Sequence, residues 1–281
     1  MNSIKNILVP IDFSKNSLKA LEYAIVMTER IMAKLHVLHA YRLIKPTDYE
    51  DPETGIALKR KLEDSLNVKL KDLEFQYLIS HAIDYELITA VGFAVGTIQN
   101  IVTSKNIDMV VMGARGKREL EEVFGSTTWS VIKSLSVPVI AVPADANIGE
   151  IDHIILANEN PGKTNPHALD AVRQIASSFN TNIVILKCNL DKDDIIEGEE
   201  QETSPFYKKV FKGIKVTTQL CNKVQFMDGL KKQLYQNDSG MLVLLPKENV
   251  FLESYFDREN LKEVIVNTKI PLLMIQRPLV P

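Results

Sequence analysis

Short apolar, β-branched runs alternate along the chain with longer stretches in which apolar residues return every three or four positions. A continuous apolar run of this length marks a buried strand, and the 3.6-residue recurrence marks a helix with one face inward. "KNILVPI" is the first such strand. "SKNSLKALEYAIVMTERIM" follows, with Leu18, Leu21, Ala24, Ile25, Thr28 and Ile31 or Met32 on one helical face and Ser14 as the N-cap. The alternation continues with a strand "KLHVLHAY", a helix from about Pro52 to Lys71, a strand "FQYLIS", a helix from about Asp84 to Ser104 and a strand "DMVVM". A glycine-containing loop, a helix Thr127 to Leu135 and a strand "PVIAV" close the first half. Strand-helix alternation predicts a parallel sheet with helices on both faces, because parallel neighbours need crossover connections.

The second half repeats this order. It runs "DHIILAN", a helix from about Pro166 to Ser178, "TNIVILKCN", an acidic irregular segment, "IKVTTQL", a helix near Phe226 to Gln236, "GMLVLL", a long loop, a helix and "PLLMI". A shift of 133 residues lays "MVVMGARGKRELEEVFGSTTWSVIKSLSVPVIAV" without a gap on "LVLLPKENVFLESYFDRENLKEVIVNTKIPLLMI". Val110 then meets Val243, and Pro138 meets Pro271. The fold class expected is α/β: two tandem doubly wound domains, each a five-stranded parallel sheet flanked by helices. The boundary falls in the small polar stretch "PADANIGE", dividing the chain into residues 1–146 and 147–281. A length of 281 residues suits two domains.

Composition narrows the function classes. A formal net charge of −3 supplies no global attraction to nucleic acid or anionic membrane. No apolar stretch reaches the length of a membrane span, and "MNSIKNILVPIDFS" lacks the apolar core of a secretory signal, so a soluble cytoplasmic protein is expected. Cys188 and Cys221, the only two cysteines, form no CxxC pair and read as buried reduced thiols. His36 and His39 are three apart in a β-type run and face opposite sides of the sheet, which argues against a shared metal.

The candidate chemistry lies at strand ends. In an open parallel sheet, ligands bind beyond the carboxyl ends of strands, where the winding reverses. The loop "GARGKRELEEVFGSTT" leaves such an end. Its glycines allow backbone N–H groups to converge on an anion, and Gly125-Ser126 opens onto a helix N-terminus with its positive dipole end. The same residues would also serve a loop that only makes turns, with Ser126 or Thr127 as a cap. Asp12, ending the first strand, is either a ligand for a sugar, an amine or a phosphate-bound cation, or the start of an Asx turn. Neither GxxxxGK[ST] nor an early GxGxxG is present.

"PIDFS", "ALEYA" and "MGARG…GSTT…VPVIAV" together resemble the universal stress protein family, and the whole chain resembles its tandem two-domain members. The family usually places nine residues between its paired glycines and its Gly-Ser; here "KRELEEVF" has eight. The resemblance implies an adenine-nucleotide site made by Pro10, Ile11 and Asp12, by Ala40, and by Met112, Gly113, Gly116, Gly125, Ser126 and Thr127, with Arg115 adding charge. The implied ligand is ATP, or AMP or ADP, with or without Mg. In the second half "LANENP" replaces "VPIDFS", and Pro246, Asn249, Arg258 and Glu259 replace the loop's glycines and serine, so that half is expected not to bind ATP in the same manner. The last strands of the two halves are edge candidates and are expected to pair as a pseudo-dimer within one chain, with further self-association into a homodimer as an additional partner reading. The function expected is stress response or regulation without catalysis, slow ATP hydrolysis being at most a by-product. No Ser/His/Asp or paired-carboxylate constellation is evident, and no catalytic residue is assigned. A stress-related interaction module that binds no nucleotide is the alternative.

Overall fold

The computed structural model describes residues 3–42, 52–114, 125–157, 166–189, 200–222, 240–245 and 269–275. In the first half β1 is Asn6–Pro10, α1 Lys15–Ile31, β2 Lys34–Tyr41, α2 Pro52–Leu73, β3 Asp84–Val91, α3 Ala94–Ser104, β4 Met109–Gly113, α4 Gly125–Ser134 and β5 Val139–Val142. In the second half β6 is His153–Ala157, α5 Asp170–Ser178, β7 Asn182–Asn189, β8 Glu200–Gln201, α6 Pro205–Val210, β9 Val216–Asn222, β10 Gly240–Leu244 and β11 Leu272–Met274.

The eleven strands among the described residues form one sheet in the order β3-β2-β1-β4-β5-β11-β10-β6-β7-β9-β8. Within each half the main strands are parallel, as the alternating pattern requires. The two halves meet where β5 and β11 pair antiparallel, with Ile140 opposite Leu273. Ala141 pairs with Leu272, and Met274 with Val139, so the seam is nearly symmetric about the central pair. The expected joining of the halves through their last strands is therefore intramolecular. A second tie crosses the helical layer: the Ile4 N–H donates to Gln174 Oε1 at 2.6 Å, and Gln174 Nε2 donates to the Ile4 carbonyl at 3.2 Å.

Alternation along the strands sends side chains to two apolar cores, one per face. Ile7, Val9, Val111, Ile140, Val243 and Leu273 join the core under α1 and α5. Leu8, Val110, Met112, Val139, Leu242 and Leu272 join the other, with residues of α3 and α4. Each core runs through both halves. The α1 helix shows why its sequence folds as expected: Ser14 caps it, and its buried face includes Leu21, Ala24, Ile25, Thr28 and Ile31. That face is wider than the expected stripe, taking in Ala20, Tyr23 and Met27, because α1 packs against β1, β2, β4 and β5. Met32 instead ends the helix in the left-handed conformation and is exposed.

Three expectations are corrected. "FQYLIS" is not a strand; α2 runs on into a π-helical turn, Glu74–Leu78, with Leu78 buried while Phe75 and Ile79 face solvent. The strand lies further on, at β3, inside the segment expected to be helical. As the edge strand it buries little, so "DYELITAV" lacks the continuous apolar run of a central strand. Gly92 then separates β3 from α3: its φ is +154°, and an added Cβ would lie 2.6 Å from Thr97 Oγ1. In the second half, the acidic segment ends in β8, which pairs antiparallel with β9 and adds to the five parallel strands, and in the short α6.

The third correction concerns the repeat. Val110 donates its N–H to the Pro138 carbonyl, and its structural counterpart Leu242 donates to that of Pro271. Leu242 and Val110 share one core, whereas Val243 faces the other. Val110 thus corresponds to Leu242 rather than Val243, while Pro138 keeps Pro271. The second half carries one residue more between these strands, and a gapless shift would have turned every β10 side chain to the wrong face. The helices expected near 226–236 and before "PLLMI" lie outside the described residues.

Candidate functional site

The winding of the first half reverses between β1 and β4, and a pocket of about 390 Å³ opens at their carboxyl ends. The β1 chain enters it straight from the sheet, the Ile11 N–H still donating to the Leu38 carbonyl at 2.8 Å. Pro10 and Ile11 line the wall, and Ile11 is buried. Asp12 then turns the chain. Its Oδ1 accepts the Ser14 N–H at 3.0 Å, while Ser14 Oγ accepts the Ser17 N–H at 3.3 Å and caps α1. Asp12 is thus both an Asx-turn residue and a pocket residue. Burial pushes its carboxyl up, but the hydrogen bonds with Ser14 and Ser17 outweigh this and hold it below its ordinary value, keeping it anionic.

Phe13 adopts φ 61°, an unusual conformation for a bulky side chain. Its ring packs on that of His39, with centroids 4.8 Å apart, and His39 Nδ1 hydrogen-bonds the Ile11 carbonyl at 2.9 Å. The turn carrying Asp12 is therefore held from β2 as well as from α1. His36 serves elsewhere: it is buried against Asn6 and Glu86 on the other face. Among the described residues no group of three or more His, Cys, Asp or Glu is placed to hold a metal ion.

The opposite wall comes from β4. Met112 is buried at the pocket's edge, and Gly113 ends the strand against α1. A Cβ at Gly113 would lie 2.5 Å from the Asn16 carbonyl oxygen, so the close approach of helix and strand requires glycine here. Thr128 Oγ1 donates to the Gly113 carbonyl at 3.2 Å and ties the first turns of α4 to the same strand end. Gly125 begins α4, so Ser126 and Thr127 lie inside its first turn rather than at the cap, and both line the pocket. Ala40 lines it from β2. Arg115 and Gly116 lie outside the described residues, as do Pro246, Asn249, Arg258 and Glu259 of the second half. Cys188 and Cys221 occupy paired positions of β7 and β9, but their side chains also lie outside the described set.

Sequence reasoning missed Asn16 and Ser17 in the first turn of α1, and Ala94 and Ile98 in α3, all of which line the pocket. Ser14 was visible only as a cap. The α3 pair was hidden by reading Asp84 to Ser104 as one helix, which obscured the strand end from which α3 enters the site. The completed pocket has an apolar side, including Leu38, Ala40 and Ile98, and a polar side of serine, threonine and asparagine at two helix N-termini. Among the described lining residues Asp12 is the only ionisable one. Such a pocket can bury a flat apolar group, bind hydroxyls and direct backbone N–H groups at an anion.

The model of the universal stress protein family matches residues 3–143, the stretch that builds this pocket and its half of the sheet. The chain belongs to the universal stress protein family. Universal stress protein MJ0577 of Methanocaldococcus jannaschii is 29% identical over 153 residues, covering 49% of this chain and 94% of its own length. A universal stress protein structure from Archaeoglobus fulgidus matches 99% of this chain and 100% of its own at TM-score 0.72 and 18% identity, which shows a shared fold over both halves. A universal stress protein structure from Pseudomonas aeruginosa matches 98% of this chain and 94% of its own at TM-score 0.60 and 11% identity. Membership in the family places the chain among stress-related proteins. No helix among the described residues is long and apolar enough to cross a membrane.

Proposed function

We propose that the first half, residues 1–146, binds ATP or a related adenine nucleotide, AMP or ADP, with or without Mg, and that the protein acts by binding rather than catalysis, as a cytoplasmic stress-response regulator. The observation that carries the reading is the pocket itself, with its apolar side, the Asp12 carboxylate and the first turn of α4 converging at the sheet's winding reversal. The base suits the side of Ala40 and Met112, the ribose hydroxyls suit Asp12, and the phosphates suit Gly113, Ser126 and Thr127 beside the α4 N-terminus, with Arg115, Gly116 and Gly125 completing the grip. The second half, residues 147–281, completes the sheet through β11 and binds no ATP in this manner. Self-association into a homodimer belongs to the same proposal. The proposed partners are an adenine nucleotide and a second copy, not nucleic acid or membrane.

Equilibrium titration with labelled ATP tests this reading, with Gly125→Glu as the control that places a carboxylate at the helix start. Saturable binding by the natural chain, lost in the variant, is expected. No saturation at millimolar nucleotide would overturn the proposal and leave an interaction module that uses the same scaffold without ligand.

A further inference from the structure

One exposed pair beside the pocket is explained neither by the core nor by helix stability. Strands β2 and β3 end together, Tyr41 opposite Val91, and the Gly92 N–H donates to the Tyr41 carbonyl at 2.8 Å. Ala40 and Ala94, on either side of this junction, line the pocket. Arg42 and Phe93 sit at the same junction, the guanidinium carbon 5.0 Å from the ring centroid. Phe93 is 73% exposed although it immediately precedes a pocket residue. It holds the N-cap position of α3 and makes no side-chain cap hydrogen bond. A serine, aspartate or asparagine would stabilise the helix better there, so capping does not account for an aromatic residue.

The ring's backbone is nevertheless closely fixed. Gly92 takes its φ of +154° against Thr97, and the Thr97 N–H returns to the Phe93 carbonyl at 2.9 Å to open the helix. The structure thus holds a large exposed aromatic ring one residue before the pocket-lining Ala94, on a backbone with little freedom and with a guanidinium against it. The adjoining wall is Leu38, Ala40, Ala94 and Ile98, all apolar.

Resting on the nucleotide reading above, we infer that Phe93, steadied by Arg42, is the outer wall of the base site and stacks on the nucleobase, favouring a purine over a pyrimidine. A π face recognises flat aromatic area rather than a hydrogen-bonding edge, so the two-ring base gains more than the one-ring base. Arg42 is a positioning residue that acts through the ring. The phosphate-facing groups, at α4 and Gly113, belong to other elements, so the base and phosphate contributions are separable.

The test measures ATP, UTP and inorganic tripolyphosphate binding to the full chain and to Phe93→Ala, Phe93→Tyr and Arg42→Gln. The natural chain is expected to prefer ATP to UTP. Phe93→Ala should weaken ATP on the order of tenfold, the scale of one lost base–aromatic stack, and erase most of the preference. Phe93→Tyr should retain it, Arg42→Gln should lose a smaller part, and tripolyphosphate binding should stay unchanged throughout. Because Phe93 is exposed, the variants should melt with the parent, which the same samples can report. If the natural chain binds ATP and Phe93→Ala binds it equally well, the stacking wall is wrong while the nucleotide reading stands. Equal weakening of ATP and tripolyphosphate also overturns it, since the ring would then act through the fold. If the natural chain binds no nucleotide, both readings fall.

Discussion

The two halves share a sheet but differ where β4 and β10 end. In the first half Gly113 lets α1 approach so closely that any Cβ would meet the Asn16 carbonyl. In the second half the counterpart of Gly113, taken in the corrected register, is Leu245, a partly buried residue packed against the core. The strands otherwise correspond, β1 matching β6, β2 matching β7 and β4 matching β10 in length. Met32 and Asn180 even occupy matching left-handed positions before β2 and β7. The comparison separates two demands on one fold. Burying both sheet faces constrains the alternation in β10 as tightly as in β4, whereas a pocket at the strand end requires a missing Cβ, a capped helix and a suitable loop. The second half meets the first demand and has lost the glycine of the second.

The largest effect should come from breaking what the halves share. Leu273→Asp places a charge on the fully buried residue opposite Ile140 and should cost more than about 3 kcal/mol, read by chemical denaturation. A milder loss would mean that the seam is not a continuous core. Next, Gly113→Val should destabilise by about 1–3 kcal/mol through overpacking against Asn16 and weaken ATP at least about tenfold. Leu245→Val at the counterpart position should leave ATP binding unchanged, and a matching loss there would remove the distinction between the halves. Gln174→Ala, which removes the tie to Ile4, should cost on the order of 1 kcal/mol without changing nucleotide affinity.

The smallest effect is a pH dependence. The Asp12 carboxyl is held below its ordinary value of 3.8. Its contribution is therefore complete above that value and lost as pH falls through the lower folded value. Asp12→Asn should flatten that acid limb by less than about 1 kcal/mol, because the group is largely exposed and screened. An unchanged acid limb would show that the turn owes nothing to the charge.

The α/β alternation, the central strands and the linked last strands were legible because buried parallel strands write themselves as apolar runs. The edge strand β3 was not, since Asp84 to Val91 has one neighbour and mixed exposure, and its pattern blends with the helix beyond Gly92. Its loss concealed Ala94 and Ile98 from the site. The glycine and Asp12 positions stood out through composition and family resemblance, while Asn16 and Thr128 could not. Their parts depend on a close helix–strand approach and on one hydrogen bond to a carbonyl, and neither leaves a periodic trace. The repeat register failed for a related reason. Matching apolar letters tolerates a shift of one residue, but the alternation of faces does not.

The most direct test of the account is the number of ATP molecules bound per chain at saturation, measured by isothermal titration calorimetry on the natural chain and on Gly113→Val. One nucleotide per natural chain and none retained at comparable affinity by the variant is the expected result. Two nucleotides per chain, or one that survives in Gly113→Val, would contradict the assignment of binding to the first half.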